Sequence, residues 1–295
     1  MKKLLSLILA GVLALSLFGC TGAREPARIA ATTLPVYDFT RYLCRGTGLS
    51  VTLLVTQNVS CLHDFSLQAS QMQALEQAEL VVLSGAGLEE FLGDALRGKP
   101  AADASRGLSL LEGHSHNHDA HPEESPGHIH AQDPHIWLSP ENAKVMADNI
   151  CAGLCDRFPA YRQTFEANLR ELCGELDALQ AYGDQALKDL RCRELITFHD
   201  GFSYLAEAFD LTVLEAVEEE SGSEASAQTL IGLIRLVQSH DLPAIFTEAN
   251  GSQAAASIIA GETGTKVFVL DMAISGDSYF QAMYRNIDTI REALQ

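Results

Sequence analysis

The sequence predicts an α/β protein of two lobes, each a mostly parallel sheet flanked by helices, joined by one long rigid backbone helix. Three observations carry this. Short apolar runs at residues 28–34, 51–55 and 80–83 alternate with helical stretches, the pattern of a buried parallel sheet. The same alternation restarts after residue 191, with runs at 194–198, 211–217, 244–248 and 266–270. Between the halves, Phe165, Leu169, Leu172, Leu176 and Leu179 recur at spacings of four and three, and Tyr182, Ala186, Leu187 and Leu190 continue the stripe. That period is one face of an amphipathic helix, and from Ala160 to Leu190 it spans roughly 45 Å at 1.5 Å per residue. A chain of 295 residues also exceeds what one hydrophobic core usually serves.

Taken in order, Lys2 and Lys3 precede an apolar stretch, 4–18, that closes on Leu17-Phe18-Gly19-Cys20. This is the layout of a secretory signal ending in a bacterial lipobox, whose cysteine is lipidated and becomes the new terminus. About 15 apolar residues is short for a bilayer span, which argues against an uncleaved anchor. Residues 1–20 are therefore expected to be a lipoprotein signal peptide, with Cys20 as the lipidation site. The rest is expected to work outside the cytoplasm, tethered to the bacterial membrane. Residues 21–157 are read as the N-terminal lobe, 158–191 as the linking helix and 192–295 as the C-terminal lobe.

Within the first lobe, Pro35 suits the opening turn of a helix reaching Leu43. The second strand leads to a loop carrying Cys61-Leu62-His63-Asp64-Phe65, and a helix from about Ser66 to Gln77 follows. Residues 113–132 break the pattern and read as a loop. Ile136-Trp137-Leu138 is expected to resume the sheet, and Pro140-Glu141-Asn142 to open a helix reaching about Arg157. In the second lobe, helices are expected around Phe202, Leu205 and Phe209, over 229–240, through Ile258 and Ile259, and at the end of the chain.

Charge and cysteine usage narrow the function. Twenty basic against 39 acidic residues give a formal charge of −19, a surface that repels nucleic acid and gathers cations. Six cysteines besides Cys20 show no CxxC spacing and no dense disulfide framework, so a thiolate zinc site is not expected. Cys151 and Cys155 read as neighbouring buried thiols on a helix, and a Cys44–Cys61 bridge is left open.

The chemistry lies in the histidines and two acids. His63, His135, His199 and Asp271 each fall at the end of an apolar run or in the loop after it. Ligands of open parallel sheets bind outside the carboxyl ends of strands. If the two sheets face each other by those ends, His63 and His135 meet His199 and Asp271 across a cleft. Three neutral imidazoles and one carboxylate suit four-coordinate Zn²⁺, whereas Mn²⁺ calls for more oxygen. Each residue alone has a plainer reading, a hydrogen-bonded strand-end histidine or, for Asp271, a helix cap. Glu248 shares the strand-end placement and is read as an outer carboxylate that orients a ligand, or as a surface acid. His240 sits at a helix end beside Asp241, where the dipole accounts for it. His114, His116, His118, His121, His128 and His130, interleaved with Asp119, Glu123 and Glu124, are read as a low-affinity auxiliary zinc collector or sensor, the plainer reading being an unstructured loop that binds metal adventitiously. Glu218-Glu219-Glu220 reads as a solvated acidic turn. A secreted zinc hydrolase with Glu248 as base is disfavoured, since no HExxH is present and the histidines are spread over two lobes.

The lipobox, Leu62-His63-Asp64-Phe65, the histidine loop, Asp133-Pro134-His135-Ile136-Trp137-Leu138-Ser139-Pro140 and Phe198-His199-Asp200-Gly201-Phe202-Ser203-Tyr204-Leu205 together resemble the zinc/manganese solute-binding lipoproteins of ABC importers. Ile245-Phe246-Thr247-Glu248 and Val269-Leu270-Asp271 are similar to that family's last two strand ends. The resemblance covers essentially the whole chain after the signal. It implies a backbone helix between two α/β lobes, His63, His135 and His199 as ligands with Asp271 as the carboxylate, and no enzymatic activity. It also implies delivery of the metal to a membrane permease and its ATPase, by a protein expected to be a monomer. A carboxylate in place of His199 goes with manganese in the family, so His199 points to zinc. The alternatives left open are a manganese- or iron-preferring member and a metal-stabilised surface adhesin. The family's Pro-His-x-aromatic is replaced here by Leu62-His63-Asp64-Phe65, and a downstream proline by Ala69.

Overall fold

Two four-stranded parallel sheets frame the molecule. The first holds β1 (Arg28–Ala31), β2 (Ser50–Leu53), β3 (Leu80–Leu83) and β4 (Ala101–Asp103) in the order β2-β1-β3-β4. The second repeats the plan with β5 (Glu194–Thr197), β6 (Thr212–Ala216), β7 (Ala244–Glu248) and β8 (Lys266–Leu270) in the order β6-β5-β7-β8. These come from a computed structural model that describes residues 28–56, 65–113, 132–217, 225–249, 253–274, 276 and 278–295. Cys20, Cys61, His63, the six loop histidines and Glu218-Glu219-Glu220 lie outside the described residues.

The strand order sets where a ligand can sit. The chain leaves β1 to one side to make β2 and returns to the other side for β3, so a switch point opens between β1 and β3. The second sheet has the same switch between β5 and β7. Strands β1, β3 and β7 are buried on both faces, as the continuous apolar runs require. Ala30 is flanked in register by Thr52 and Val81, and Phe246 by Thr197 and Phe268.

Around the sheets run α1 (Leu34–Leu43), α2 (Ala69–Gln77), α3 (Pro140–Arg157), α4 (Arg162–Leu187), α5 (Ser203–Ala208), α6 (Ala227–His240), α7 (Ala254–Thr263) and α8 (Tyr279–Leu294). Ser139 caps α3, its hydroxyl accepting from the Asn142 amide, with Pro140 in the first turn. The backbone helix α4 has 26 residues, about 39 Å at 1.5 Å each. Phe165, Leu172, Leu176, Leu179 and Leu187 make its buried face. Its stripe passes through Gly183 rather than Tyr182: a Cβ on Gly183 would collide with the Phe209 ring, while the Tyr182 hydroxyl donates to Asp288 at 2.7 Å. Among the described residues no helix is long and apolar enough to cross a membrane.

One hydrophobic core runs through both halves. Phe39 and Leu43 of α1, Trp137, Phe165 and Leu172 of α4, Leu195 of β5 and Ile287 of α8 belong to the same buried cluster. Smaller clusters cover the other face of each sheet, Leu54, Leu75, Val81 and Leu92 on the first and Ile196, Leu233, Ile245 and Ile259 on the second.

One local reading is corrected, one strand was not anticipated, and one open question is narrowed. Ile136–Leu138 forms a 3₁₀ turn, not a strand; all three side chains are buried because the turn is wedged against α3 and the second half of the chain. Strand β4, of sequence Ala-Ala-Asp, carries no β-branched residue and owes its existence to pairing with β3. Cys44 is a free buried thiol at the end of α1, its pKa pushed up to about 12 by burial.

Candidate metal centre

His135 follows Pro134 at the mouth of the 3₁₀ turn, with its side chain 12% exposed. Its backbone N–H donates to Asp133 Oδ1 at 2.9 Å, and its ring Nδ1 lies 2.8 Å from the same oxygen. The opposite ring nitrogen, Nε2, faces His199 Nε2 at 3.4 Å, the rings standing 80° apart. His199 lies two residues past β5, at the switch point of the second sheet, where Thr197 Oγ1 donates to its carbonyl at 3.0 Å. Its Nδ1 is 3.6 Å from Glu248 Oε2, at the end of β7 on the other side of that switch point. Glu248 is buried, and desolvation pushes its carboxyl up to about 7.

The 3.4 Å separation of the two Nε2 atoms is long for a hydrogen bond and right for something else. Two imidazoles bound to one tetrahedral zinc at 2.0–2.1 Å hold their nitrogens about 3.3–3.4 Å apart. That separation is compatible with two imidazoles sharing one ion, and each ring has a carboxylate on its Nδ1 side. Glu248, on the Nδ1 side of His199, is placed to orient that ring. Gly201 makes room for the pair. A Cβ there would lie 2.5 Å from Met272 Cε, 2.8 Å from His199 Cδ2 and 2.9 Å from His135 Nδ1.

Asp271 directly follows β8, as the sequence suggests, but its carboxylate is engaged elsewhere. Oδ1 accepts from the Ala273 amide at 2.8 Å and Oδ2 from Arg285 at 3.0 Å, while Asn286 bonds its backbone on both sides. His135, His199 and Glu248 are brought together; Asp271 shares no direct contact with them in this arrangement. Among the described residues no group of three or more His, Cys, Asp or Glu side chains is set to hold an ion, and His63 lies outside those residues. His240 pairs with Glu194, Nδ1 to Oε2 3.0 Å, at the far end of the second sheet.

Sequence reasoning gave no role to Asp133 or Gly201. For Asp133 the signal was present: an aspartate two residues before a histidine, with a proline between, is the spacing at which a carboxylate closes back on the following backbone N–H. Gly201 could not be told from a turn glycine without knowing which rings it touches.

Residues 29–293 match the family described as zinc-uptake complex component A, periplasmic. The high-affinity zinc uptake system protein ZnuA of Bacillus subtilis (strain 168) is 28% identical over 283 residues, covering 92% of this chain and 88% of its own. The zinc-binding lipoprotein AdcA of Streptococcus pneumoniae serotype 4 (strain ATCC BAA-334 / TIGR4) is 29% identical over 308 residues. That alignment takes in 99% of this chain and 61% of AdcA, so the chain spans less than two thirds of that relative's length. A crystal structure of ZnuA superposes with a TM-score of 0.79 at 29% identity, over 92% of this chain and all of the other. With two parallel-sheet lobes, an intervening long helix and a match over nearly its whole length, the chain belongs to the ZnuA family of periplasmic zinc-uptake components, which are binding proteins and not enzymes.

Proposed function

We propose that this chain is the extracytoplasmic binding component of a metal ABC importer, capturing Zn²⁺ and handing it to the permease and ATPase of the cytoplasmic membrane. The observation that carries this is the opposed pair His135 Nε2 and His199 Nε2, 3.4 Å apart at the interface of the two halves. Zinc is favoured because neutral imidazoles dominate the donor set. In this reading His63 and Asp271 complete the coordination begun by His135 and His199, which requires Asp271 to share its carboxylate between Arg285 and the ion. Glu248 sits behind His199 as its orienting partner. His114, His116, His118, His121, His128 and His130 gather zinc weakly ahead of the main site. The protein acts as a monomer, tethered through lipidated Cys20; the lipobox and the lipoprotein name of AdcA support the tether.

Elemental analysis of protein purified without added metal tests the proposal. The expected result is about one tightly held zinc per chain, largely lost in His199→Ala, with weaker binding lost when residues 114–130 are deleted. A wild type that holds no zinc, or a His199→Ala variant that holds it undiminished, overturns it.

A further inference from the structure

Resting on that zinc reading, we infer that Asp133 is a positioning residue that fixes the tautomer and direction of His135 and supplies a buried negative charge awaiting the cation. A carboxylate oxygen can only accept, so the 2.8 Å contact between Asp133 Oδ1 and His135 Nδ1 puts the ring proton on Nδ1. Nε2 is then left with its lone pair, aimed at His199. The same Oδ1 also takes the His135 backbone N–H at 2.9 Å, so ring and backbone are locked to one atom. A ligand histidine whose other nitrogen is held by a carboxylate is both oriented and made more basic.

The second oxygen is the independent sign. Asp133 is 2% exposed, and its Oδ2 is buried with no hydrogen-bond partner among the described residues. Leaving such an atom unsatisfied costs stability, and folds rarely tolerate it without a use. The backbone that carries this carboxylate is held as well. The Asp133 N–H donates to Leu111 O at 2.8 Å, and its carbonyl accepts from the Tyr204 hydroxyl at 3.0 Å. Tyr204, from α5, in turn accepts from the Leu111 N–H at 2.8 Å. Three hydrogen bonds thus fix the backbone that carries an under-satisfied anion one imidazole away from the proposed ion. A cation on His135 Nε2 offsets that charge through the ring.

Asp133→Asn keeps the shape and removes the charge; Asp133→Ala removes the acceptor as well. Zinc affinity is measured by chelator competition, and metal-free stability by urea unfolding, for both variants beside wild type and His199→Ala. The expected result is a loss of zinc affinity of about 10-fold in Asp133→Asn and up to about 100-fold in Asp133→Ala. Metal-free Asp133→Asn is expected to be at least as stable as wild type, since a buried charge has gone. Affinity within about twofold of wild type in both variants overturns the inference. So does a loss of affinity matched by an equal loss of metal-free stability, which is what a merely structural aspartate would give. A wild type without zinc would instead overturn the zinc reading itself, and His199→Ala separates the two failures.

Discussion

Glu89 lies buried at the carboxyl ends of β1 and β3, at the switch point of the first sheet. Its Oε1 accepts from the Thr32 hydroxyl and the Ser84 amide, both at 2.6 Å, and its Oε2 from the Gly85 amide at 3.0 Å. Despite those three donors, desolvation dominates and pushes the carboxyl from 4.5 up to about 7. A carboxyl whose pKa is raised on folding binds more protons in the native state between those two values. Its contribution to stability is therefore fully present below about pH 4.5 and is lost as pH rises towards 7. Glutamine does not titrate, so Glu89→Gln should be penalised most against wild type near pH 4.5. That gap should narrow by about 3 kcal/mol by pH 7, read from urea unfolding of the metal-free proteins across the range. A gap independent of pH would show that folding leaves the Glu89 carboxyl unshifted. The sequence did not single Glu89 out, because Glu89 and Glu90 are adjacent acids in one short helical stretch and only the fold decides that the first is buried and the second exposed. His135 and His199 were legible for the opposite reason: each stands at a boundary between an apolar run and a turn, which composition alone marks.

At the scale of elements, the 3₁₀ turn Ile136–Leu138 does more than its length suggests. Trp137 is wholly buried; its Nε1 donates to the Met272 carbonyl at 2.7 Å, and its own carbonyl accepts from the Tyr279 hydroxyl at 2.9 Å. Met272 follows β8 and Tyr279 opens α8, so this one residue ties the first half of the chain to the second. Trp137→Phe would shrink the ring and leave a buried carbonyl without its donor, at a cost of about 2–4 kcal/mol. Tyr279→Phe, which loses only the hydroxyl, should cost about 1–3 kcal/mol, again from urea midpoints. Losses below these would mean that Met272 and Trp137 find water instead. Three successive apolar residues after a proline look like a buried strand, and period alone cannot separate that from a buried turn. The strands of both sheets that are rich in Val, Ile and Leu were read directly. Strand β4 was not, since Ala101 and Ala102 pair only because β3 leaves an edge beside them. The α4 stripe was read to within a residue: Tyr182 was placed on it, whereas Gly183 is the position where Phe209 packs.

For the whole molecule, the question is whether the two halves move as separate bodies. Among the described residues, several buried or part-buried bonds cross between them. Trp137 bonds Met272 and Tyr279, Leu34 N–H donates to Ile274 O at 3.3 Å, Tyr279 N–H to Asp38 Oδ2 at 2.9 Å, and the Tyr204 hydroxyl to Asp133 O at 3.0 Å. Opening a hinge would exchange these bonds for bonds to water, at about 0.5–1.5 kcal/mol each, and would split the shared core as well. Large lobe rotation is thus a poor route for loading or releasing zinc, and the halves should unfold as one unit. The chain contains a single tryptophan, and Trp137 lies in that junction, so its fluorescence reports the contact between halves while far-UV ellipticity reports all helices. Urea transitions followed by the two probes should coincide in the metal-free protein. With free zinc at 1,000 times its dissociation constant both should move together by about 4.1 kcal/mol. If instead fluorescence changes first, or zinc shifts only one of two steps, the halves are separable and hinge closure becomes an open route for capture.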